Sequence, residues 1–332
     1  GETLPTAPVL VLSDKLDSGD LPIHPCLRLG RLRSLIRDDF DDEFDHLENL
    51  HRVVELRDLL ATREKVGILL QPDPDPDGIA SGIALRALLG RKSPTAPLIS
   101  FGAVKRPENR AMIAALGVEV RIVTPPELEE FDGLTLVDVQ PPVFGESPPA
   151  RVLSVDAVID HHPERGGYDT VIGDIRTSYG ATSTILTEYV RAAGIEVRPR
   201  LATALLYGIK SDTQLLGRET SRDDIRAFAF LHALHSPALL RRIERPALPI
   251  DGLRALGRAL GSTRVEDGIH ILVLGRVRED VIPQVADLGL QAESTEWSVA
   301  AGIVGSDLVF SVRNGGYVRA AGEVVRAVVE GL

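Results

Sequence analysis

Two short segments of this sequence combine residue types that bind divalent cations. One is Asp160-His161-His162, and the other is the acidic run Asp73-Pro74-Asp75-Pro76-Asp77. Each follows a short apolar run typical of a buried β-strand, at residues 157–159 and 66–70. Ligands of an open α/β sheet collect at the carboxyl ends of its strands. The two segments therefore predict a metal site at such an edge rather than part of a hydrophobic core.

Asp138 and Asp212 extend this acidic set, since one ends an apolar strand-like run and the other follows an apolar helical stretch. Either residue alone would be read as a turn residue, and Asp77 alone as the N-cap of the helix that follows it. Together, carboxylates and imidazoles without cysteine favour Mn²⁺ or Mg²⁺ over structural zinc. A carboxylate shared by two such ions would hold them in position for in-line attack of water on phosphorus.

The elements that must position these residues alternate between strand-like and helical patterns from residue 65 onward. Strands are predicted at 66–70, 97–101, 118–123, 134–138 and 157–159, and helices at 78–89, 107–116 and from about residues 181 and 201. This alternation predicts an α/β domain with a doubly wound, mainly parallel sheet at residues 64–235.

Residues 236–251 are rich in proline and polar residues, which predicts a linker. Beyond it, residues 252–332 predict a smaller α+β domain with strands at 270–274, 297–303 and 308–313. Helices are expected there near 282–290 and 319–329.

Residues 1–63 predict a helical extension, because the apolar positions between Leu47 and Leu60 follow a helical period. We expect this helix to pack on the main domain or on a second subunit, so a homodimer is one hypothesis. His46 and His51 lie on it among charged neighbours and are interpreted as solvated residues, with metal binding a remote second reading.

Composition narrows the classes of function. The net charge of −11 argues against broad, non-specific duplex binding, although a small anionic substrate remains compatible if cations are concentrated in one cleft. The single cysteine, Cys26, excludes intrachain disulfides and cysteine-rich zinc sites. The sequence shows no apolar run of membrane-spanning length and no signal-peptide pattern, so we expect a cytoplasmic protein without membrane partners.

The order and spacing of the acidic motifs resemble those of the DHH/DHHA1 phosphoesterases. This superfamily includes RecJ exonucleases, oligoribonuclease/pAp phosphatases, cyclic-dinucleotide phosphodiesterases and family II inorganic pyrophosphatases. The matching elements are, in order, Pro74-Asp75-Pro76-Asp77, Asp138, Asp160-His161-His162 and Asp212. The segment that includes Leu274-Gly275-Arg276, Ala286-Asp287-Leu288, Trp297 and Arg313 is similar to the DHHA1 domain. The similarity extends over roughly residues 65–329.

The resemblance implies two Mn²⁺ ions, with Mg²⁺ as the alternative. It implies that Asp75 and Asp138 bind one ion, and that the ligands of the other are Asp77, Asp138, His161 and Asp212. By the same resemblance His162 would contact the substrate phosphate, and Arg313 would hold another phosphate. Asp160 would orient the histidine pair.

Two positions depart from the family pattern. Gln71 stands where many members have a histidine ligand, and its neutral amide is a weaker ligand, for which Asp73 is a candidate substitute. A glycine-rich GGGH-type segment does not follow the last predicted helix, and Gly315-Gly316 comes too early to replace it.

The sequence therefore predicts a metal-dependent phosphoesterase acting on a short oligoribonucleotide, pAp or a cyclic dinucleotide. A RecJ-like single-strand exonuclease is a weaker alternative, because only 4% of the residues are aromatic and such channels use aromatic stacking. The DHHA1-like half disfavours a pyrophosphatase. The departures at Gln71 and at the chain's end motivate another alternative, a catalytically impaired nucleotide-binding or regulatory protein.

Overall fold

The computed structural model describes residues 12–13, 27–28, 40–145, 147–217, 220–244, 250–261, 263–279, 281–315 and 324–325. The chain divides into two units, Gly1–Glu244 and Arg245–Leu332. Strands β1 (Leu12–Ser13) and β2 (Leu27–Arg28) form a short parallel pair in the first unit.

The apolar runs of the first unit form a six-stranded sheet in which every described pair of neighbouring strands is parallel. Its strands are β3 (Val66–Leu69), β4 (Leu98–Ser100), β5 (Val120–Ile122), β6 (Gly133–Val137), β7 (Ser154–Asp160) and β8 (Asp169–Ile175). Their order across the sheet is β5-β4-β3-β6-β7-β8. The predicted α/β class with a parallel sheet is thereby confirmed.

Seven described helices accompany this sheet. They are α1 (Phe40–Ala61), α2 (Pro76–Leu88), α3 (Pro107–Leu116), α4 (Thr182–Ala192), α5 (Pro199–Asp212), α6 (Arg222–His232) and α7 (Pro237–Glu244). Successive strand residues enter two different hydrophobic layers, as Ile68 and Leu69 show. The helices pack in the layer that contains Ile68, and the other layer includes Leu128 and Val152 from short 3₁₀ turns.

The strand order changes direction between β3 and β6. After β3 the chain passes outward to β4 and β5, and it then returns to add β6, β7 and β8 on the other side of β3. Such a switch point leaves a crevice at the carboxyl ends of the two central strands, where ligands bind in open α/β sheets. The acidic run at 73–77 follows β3, and Asp138 follows β6 directly.

The second unit contains α8 (Ile250–Gly261), β9 (Arg264–Glu266), β10 (Ile269–Arg276), α9 (Val281–Gly289), β11 (Trp297–Val304) and β12 (Asp307–Asn314). Its sheet has the order β12-β11-β10-β9, with β10 and β11 parallel and the outer strands antiparallel to their neighbours. This matches the smaller α+β domain predicted from the sequence. The helix predicted at 319–329 lies outside the described residues except for positions 324–325.

Two predicted segments can be compared with the observed units. The extension predicted at 1–63 includes α1, and Val53, Leu56 and Leu60 of that helix are buried in the core of the first unit, which is one of the two placements expected for it. The linker predicted at 236–251 includes α7, because Pro237 occupies the first turn of a helix, where proline is tolerated.

His51, interpreted as solvated, is mostly buried in α1, with its side chain 15% exposed. Among the helices that the structure describes, none combines the length and apolarity needed to cross a membrane.

Candidate metal centre

Three of the predicted carboxylate ligands converge on the imidazole nitrogen of a fourth, His161. His161 Nε2 lies 3.0 Å from Asp212 Oδ2, 3.7 Å from Asp138 Oδ1 and 4.0 Å from Asp77 Oδ2. Each residue of the sets Asp77, His161, Asp212 and Asp138, His161, His162 offers one ligand atom within 4.8 Å of the other two. The structure therefore brings together side chains from the ends of β6, β7 and α5 and from the first turn of α2.

Two atoms of this cluster are buried and lack a hydrogen bond. They are Asp138 Oδ2 and His161 Nε2, and neither makes a hydrogen bond within the described part of the chain. The 3.0 Å contact between His161 Nε2 and Asp212 Oδ2 is an ion-pair contact that lacks hydrogen-bonding geometry. Buried polar atoms in folded proteins are almost always hydrogen-bonded, so such a pair requires an explanation. A divalent cation fits, because carboxylate and imidazole donors without thiolates suit Mn²⁺ and Mg²⁺.

Asp77 is held by the amino-terminal ends of two helices. It lies in the first turn of α2, whose start is fixed by Pro76 and by the N-cap Asp75. The main-chain N–H groups of Thr182 and Ser183, at the start of α4, donate to Asp77 Oδ2 and Oδ1 at 2.7 and 2.8 Å. The positive end of α4 thus favours a negative charge on Asp77.

Gly208 allows α5 to approach this carboxylate closely. A Cβ at position 208 would lie 2.3 Å from Ser183 Oγ and 3.2 Å from Asp77 Oδ1. Any larger residue would push α5 away from α2 and α4. Because α5 ends at Asp212, this close packing also helps to place the Asp212 carboxylate beside His161.

Asp138 adopts a backbone conformation that is uncommon for residues other than glycine. Its φ angle is +61°, in the left-handed region, directly after the last residue of β6. The Asp138 N–H donates to the Ile159 carbonyl at 2.9 Å, and Thr182 Oγ1 donates to Asp138 Oδ1 at 2.9 Å. Strained conformations of this kind persist where the surrounding structure enforces them, and they cluster at functional sites.

The orientation of His161 follows from a main-chain carbonyl. Its Nδ1 lies 3.1 Å from the Tyr179 carbonyl oxygen, which can only accept, so Nδ1 carries the hydrogen. In the neutral imidazole, Nε2 then presents its lone pair to the carboxylate cluster. Metal-bound histidines are commonly fixed in this way through their other ring nitrogen.

Asp160 and His162 form the adjoining part of the site. Asp160 Oδ1 accepts a hydrogen bond from His162 Nδ1 at 2.8 Å and from the main-chain N–H groups of His161 and His162. Asp160 is fully buried, whereas the His162 side chain is 46% exposed. One carboxylate thus contacts both histidines, and His162 stays accessible to a molecule in solution.

Gln71 and Asp75 are arranged differently from the four clustered ligands. Gln71 Nε2 donates to Asp75 Oδ2 at 2.7 Å, and Asp75 Oδ1 accepts the N–H of Gly78 at 2.9 Å. Both oxygens of Asp75 therefore have a protein partner. Asp73, considered as a substitute ligand, accepts the Lys105 N–H instead, at 2.7 Å.

Arg313 lies on β12 in the second unit, where its Nε donates to Asp287 Oδ1 at 2.6 Å.

The concentration of carboxylates changes the proton affinity of the cluster. Burial, with the nearby Asp212 carboxylate, raises the pKa of Asp77 to about 7. Burial and the charge of Asp77 raise the pKa of Asp138 well above its usual range. Burial lowers the pKa of His161, but the Asp212 and Asp77 carboxylates outweigh it and raise that pKa to about 9. The cluster therefore retains protons at neutral pH that a cation would displace.

The sequence motifs do not reveal the residues that hold these ligands in place. Thr182, Ser183 and Tyr179 act through main-chain groups or a hydroxyl, which leave no distinctive residue pattern. The usable signal is the small polar stretch Gly180-Ala181-Thr182-Ser183 before a helical period, since helix amino termini bind anionic groups.

Fold and site together define a two-unit α/β protein with a carboxylate–histidine cluster, suited to a divalent cation, at the switch point of a parallel sheet. Residues 65–209 match the family described as "DHH family, N-terminal domain". Residues 65–209 are therefore a DHH-family N-terminal domain.

The chain is similar to two curated proteins and to one solved structure. An uncharacterized protein of Methanocaldococcus jannaschii is 34% identical over 248 residues, covering 74% of this chain and 51% of that protein. A probable manganese-dependent inorganic pyrophosphatase of Deinococcus radiodurans is 31% identical over 177 residues, covering 48% of this chain and 50% of its own length. This chain thus spans about half the length of these curated relatives.

The third is a solved structure that resembles the chain over a larger share of both proteins. The exopolyphosphatase-related protein from Bacteroides fragilis has a TM-score of 0.61 and 14% identity, and it covers 80% of this chain and 83% of its own. This likeness shows a shared fold.

Proposed function

We propose that this protein is a Mn²⁺-dependent phosphoesterase that hydrolyses a phosphoester bond of a small nucleotide. The observation that carries the proposal is the pair of buried atoms without hydrogen bonds, Asp138 Oδ2 and His161 Nε2, within a cluster of carboxylates. The DHH-family domain also supports the proposal, as does the position of the cluster at the switch-point crevice of the sheet, where ligands bind and a bound cation could activate water toward phosphorus.

The ion is proposed to be Mn²⁺, with Mg²⁺ as the alternative. The donor set supports either ion, and a relative is described as a probable manganese-dependent pyrophosphatase. When bound, such ions lower the pKa of water and neutralise phosphate charge. For two ions, we assign Asp75 and Asp138 to the first, and Asp77, Asp138, His161 and Asp212 to the second.

His162 is proposed to donate a hydrogen bond to the substrate phosphate. Its hydrogen bond to Asp160 raises the pKa of the imidazole, which favours the form in which both ring nitrogens carry hydrogens. Nδ1–H is then donated to Asp160, and Nε2–H is available to an oxygen of the substrate. Arg313 is proposed to bind another phosphate group of the substrate. Its guanidinium group would then give up part of its ion pair with Asp287.

The proposed substrates are a short oligoribonucleotide, pAp or a cyclic dinucleotide. A chain with a net charge of −11 is unsuited to long, non-specific contact with nucleic acid. We further propose a cytoplasmic site of action, where such nucleotides are turned over. Since α1 belongs to the core of the first unit, a homodimer should be tested by light scattering on the intact chain rather than by deleting residues 1–63.

Hydrolysis of a defined panel tests the proposal. The purified protein with Mn²⁺ is assayed against pApA, pAp, c-di-AMP, pyrophosphate and a long single strand. We expect turnover of at least one small nucleotide, and D138N should abolish it. Processive degradation of the long strand would instead support a RecJ-like exonuclease. Absence of turnover on all five would refute the proposal.

A second candidate is a catalytically impaired nucleotide-binding protein on the same scaffold. The observation in its favour is the Gln71–Asp75 hydrogen bond, which occupies an oxygen that the first ion would need. Tight nucleotide binding with no bound Mn²⁺ would support this candidate, whereas two ions per chain after loading would contradict it.

A further inference from the structure

Gln140 is a buried amide next to the metal centre to which neither the motifs nor the family assignment gives a role. It is 1% exposed and lies two residues after Asp138, at the start of the 3₁₀ turn Pro141–Phe144. A buried amide must satisfy both its donor and its acceptor side, because an unpaired polar group there is costly. Its partners therefore indicate what it holds in place.

The donor side of Gln140 faces the carboxylate that holds His162. Gln140 Nε2 donates to Asp160 Oδ2 at 2.7 Å, and Asp160 Oδ1 accepts the hydrogen of His162 Nδ1 at 2.8 Å. The two oxygens of Asp160 thus have different partners. The amide fixes the rotation of the carboxylate plane, which in turn fixes the imidazole.

The Gln140 amide also holds the loop that follows the histidine pair. Gln140 Oε1 accepts the Arg165 N–H at 2.7 Å and the Tyr168 hydroxyl hydrogen at 3.4 Å. Nε2 also lies 3.2 Å from the Pro163 carbonyl oxygen and donates to it. A single side chain therefore anchors the carboxylate before His162 and the loop after it.

We propose that Gln140 is a positioning residue for the phosphoester reaction, because it orients His162 toward the substrate through Asp160. This inference rests on the proposed function, in which His162 contacts the phosphate. A glutamine is required, since the same group must donate to a carboxylate and accept an N–H. Glutamate would place a second charge against Asp160, and leucine would leave Asp160 Oδ2 and the Arg165 N–H without partners.

The test uses Q140E and the double variant Q140E/D160N on the intact, Mn²⁺-loaded protein. In Q140E the donor is lost and two carboxylates meet. In the double variant, the amide introduced at position 160 can donate to the carboxylate introduced at position 140 and still accept from His162. The hydrogen bond is thereby restored with its direction reversed. Exposed Gln291 supplies the matched control, Q291E.

We expect Q140E to lower kcat/KM on the order of 10- to 100-fold, which is typical when a group supporting a site residue is removed. The double variant should recover part of this loss, because it restores the hydrogen bond but moves the negative charge from position 160 to position 140. Q291E should equal the wild type. Mn²⁺ affinity, measured by titration calorimetry, should stay within about threefold in all variants, because the Tyr179 carbonyl, not Gln140, orients His161. A merely structural role would lower Mn²⁺ affinity and activity together.

The ¹⁵N NMR signals of the His162 ring, recorded with Mg²⁺, provide a readout that needs no turnover. We expect a hydrogen-bonded Nδ1–H in the wild type and the double variant, and its loss in Q140E. Wild-type kinetics and an unchanged ring signal in Q140E, or no recovery in the double variant, would overturn the inference. Should the wild type hydrolyse none of the panel, the proposed function fails, while the ring signals still decide whether Gln140 orients His162.

Discussion

Binding of Mn²⁺ to the metal-free protein should release protons in a number that can be worked out from the structure. Asp77, with a pKa of about 7, holds about half a proton at pH 7, and His161, with a pKa of about 9, holds about one. Both must be deprotonated to bind a cation, so these two residues release about 1.5 protons at pH 7. The number should be about two at pH 6 and about one at pH 8, and any proton on Asp138 adds to it.

Titration calorimetry in buffers of different ionisation enthalpy measures this release directly, because the observed heat changes in proportion to the protons taken up by the buffer. H161Q should reduce the release at pH 7 by about half to one proton, because glutamine carries none but loss of the imidazolium charge raises the pKa of Asp77. H235Q, which changes a histidine outside the cluster, should leave it unaltered. Binding without proton release, or release that grows with pH, would refute the assignment of these residues as ligands.

Three further predictions follow from the same geometry. The metal-free protein should melt at lower temperature as the pH rises from 5 to 9. In the folded protein the pKa values of Asp77 and His161 are about 7 and 9, above the ordinary values of 3.8 and 6.5. Protonation of these side chains therefore stabilises the fold fully below the ordinary pKa values, and this stabilisation is lost as the pH rises through the raised pKa values. Saturating Mn²⁺ should remove this decrease of the melting temperature with pH, as measured by thermal denaturation. A melting temperature of the metal-free protein that rises with pH would contradict the prediction. Q71H should tighten binding of the first Mn²⁺ ion, the one assigned to Asp75 and Asp138, in a calorimetric titration, because imidazole is a stronger ligand than an amide. Identical isotherms would show that Gln71 does not limit occupancy. G208A should lower the free energy of unfolding by about 1–3 kcal/mol and weaken Mn²⁺ binding, because its Cβ meets Ser183 Oγ. The control variant G257A should have neither effect, because its added Cβ enters open space. Equal denaturation curves for the two variants would contradict the packing argument.

The sequence predicted the sheet best where burial makes its strands continuously apolar. Strands β3 and β6 are buried at every position, and both were expected close to their observed bounds. Strand β8 was not predicted, because it lies at the edge of the sheet and several of its residues are exposed, which weakens the apolar signal. The proline-rich segment at 236–251 predicted a linker, but proline is equally compatible with the first turn of α7.

In the site, the candidate ligands can be predicted from residue types, whereas the groups that orient them depend on the fold. Asp77, Asp138, His161 and Asp212 carry their chemistry in their side chains, so spacing and residue type suffice to select them. The groups that orient them come from the start of α4 and from the Tyr179 carbonyl, and main-chain groups have no residue signature. The pairing of Gln71 with Asp75 also depends on side-chain geometry that spacing does not encode.

We propose above that a divalent metal centre is formed by four residues, Asp77, Asp138, His161 and Asp212. Anomalous diffraction at the manganese edge, on crystals grown with Mn²⁺, tests it most directly. We predict a strong anomalous peak bonded to Asp138 Oδ2 and His161 Nε2, the two buried atoms without hydrogen bonds. A fully ordered cluster with no anomalous peak, or manganese bound only elsewhere on the chain, would contradict the claim.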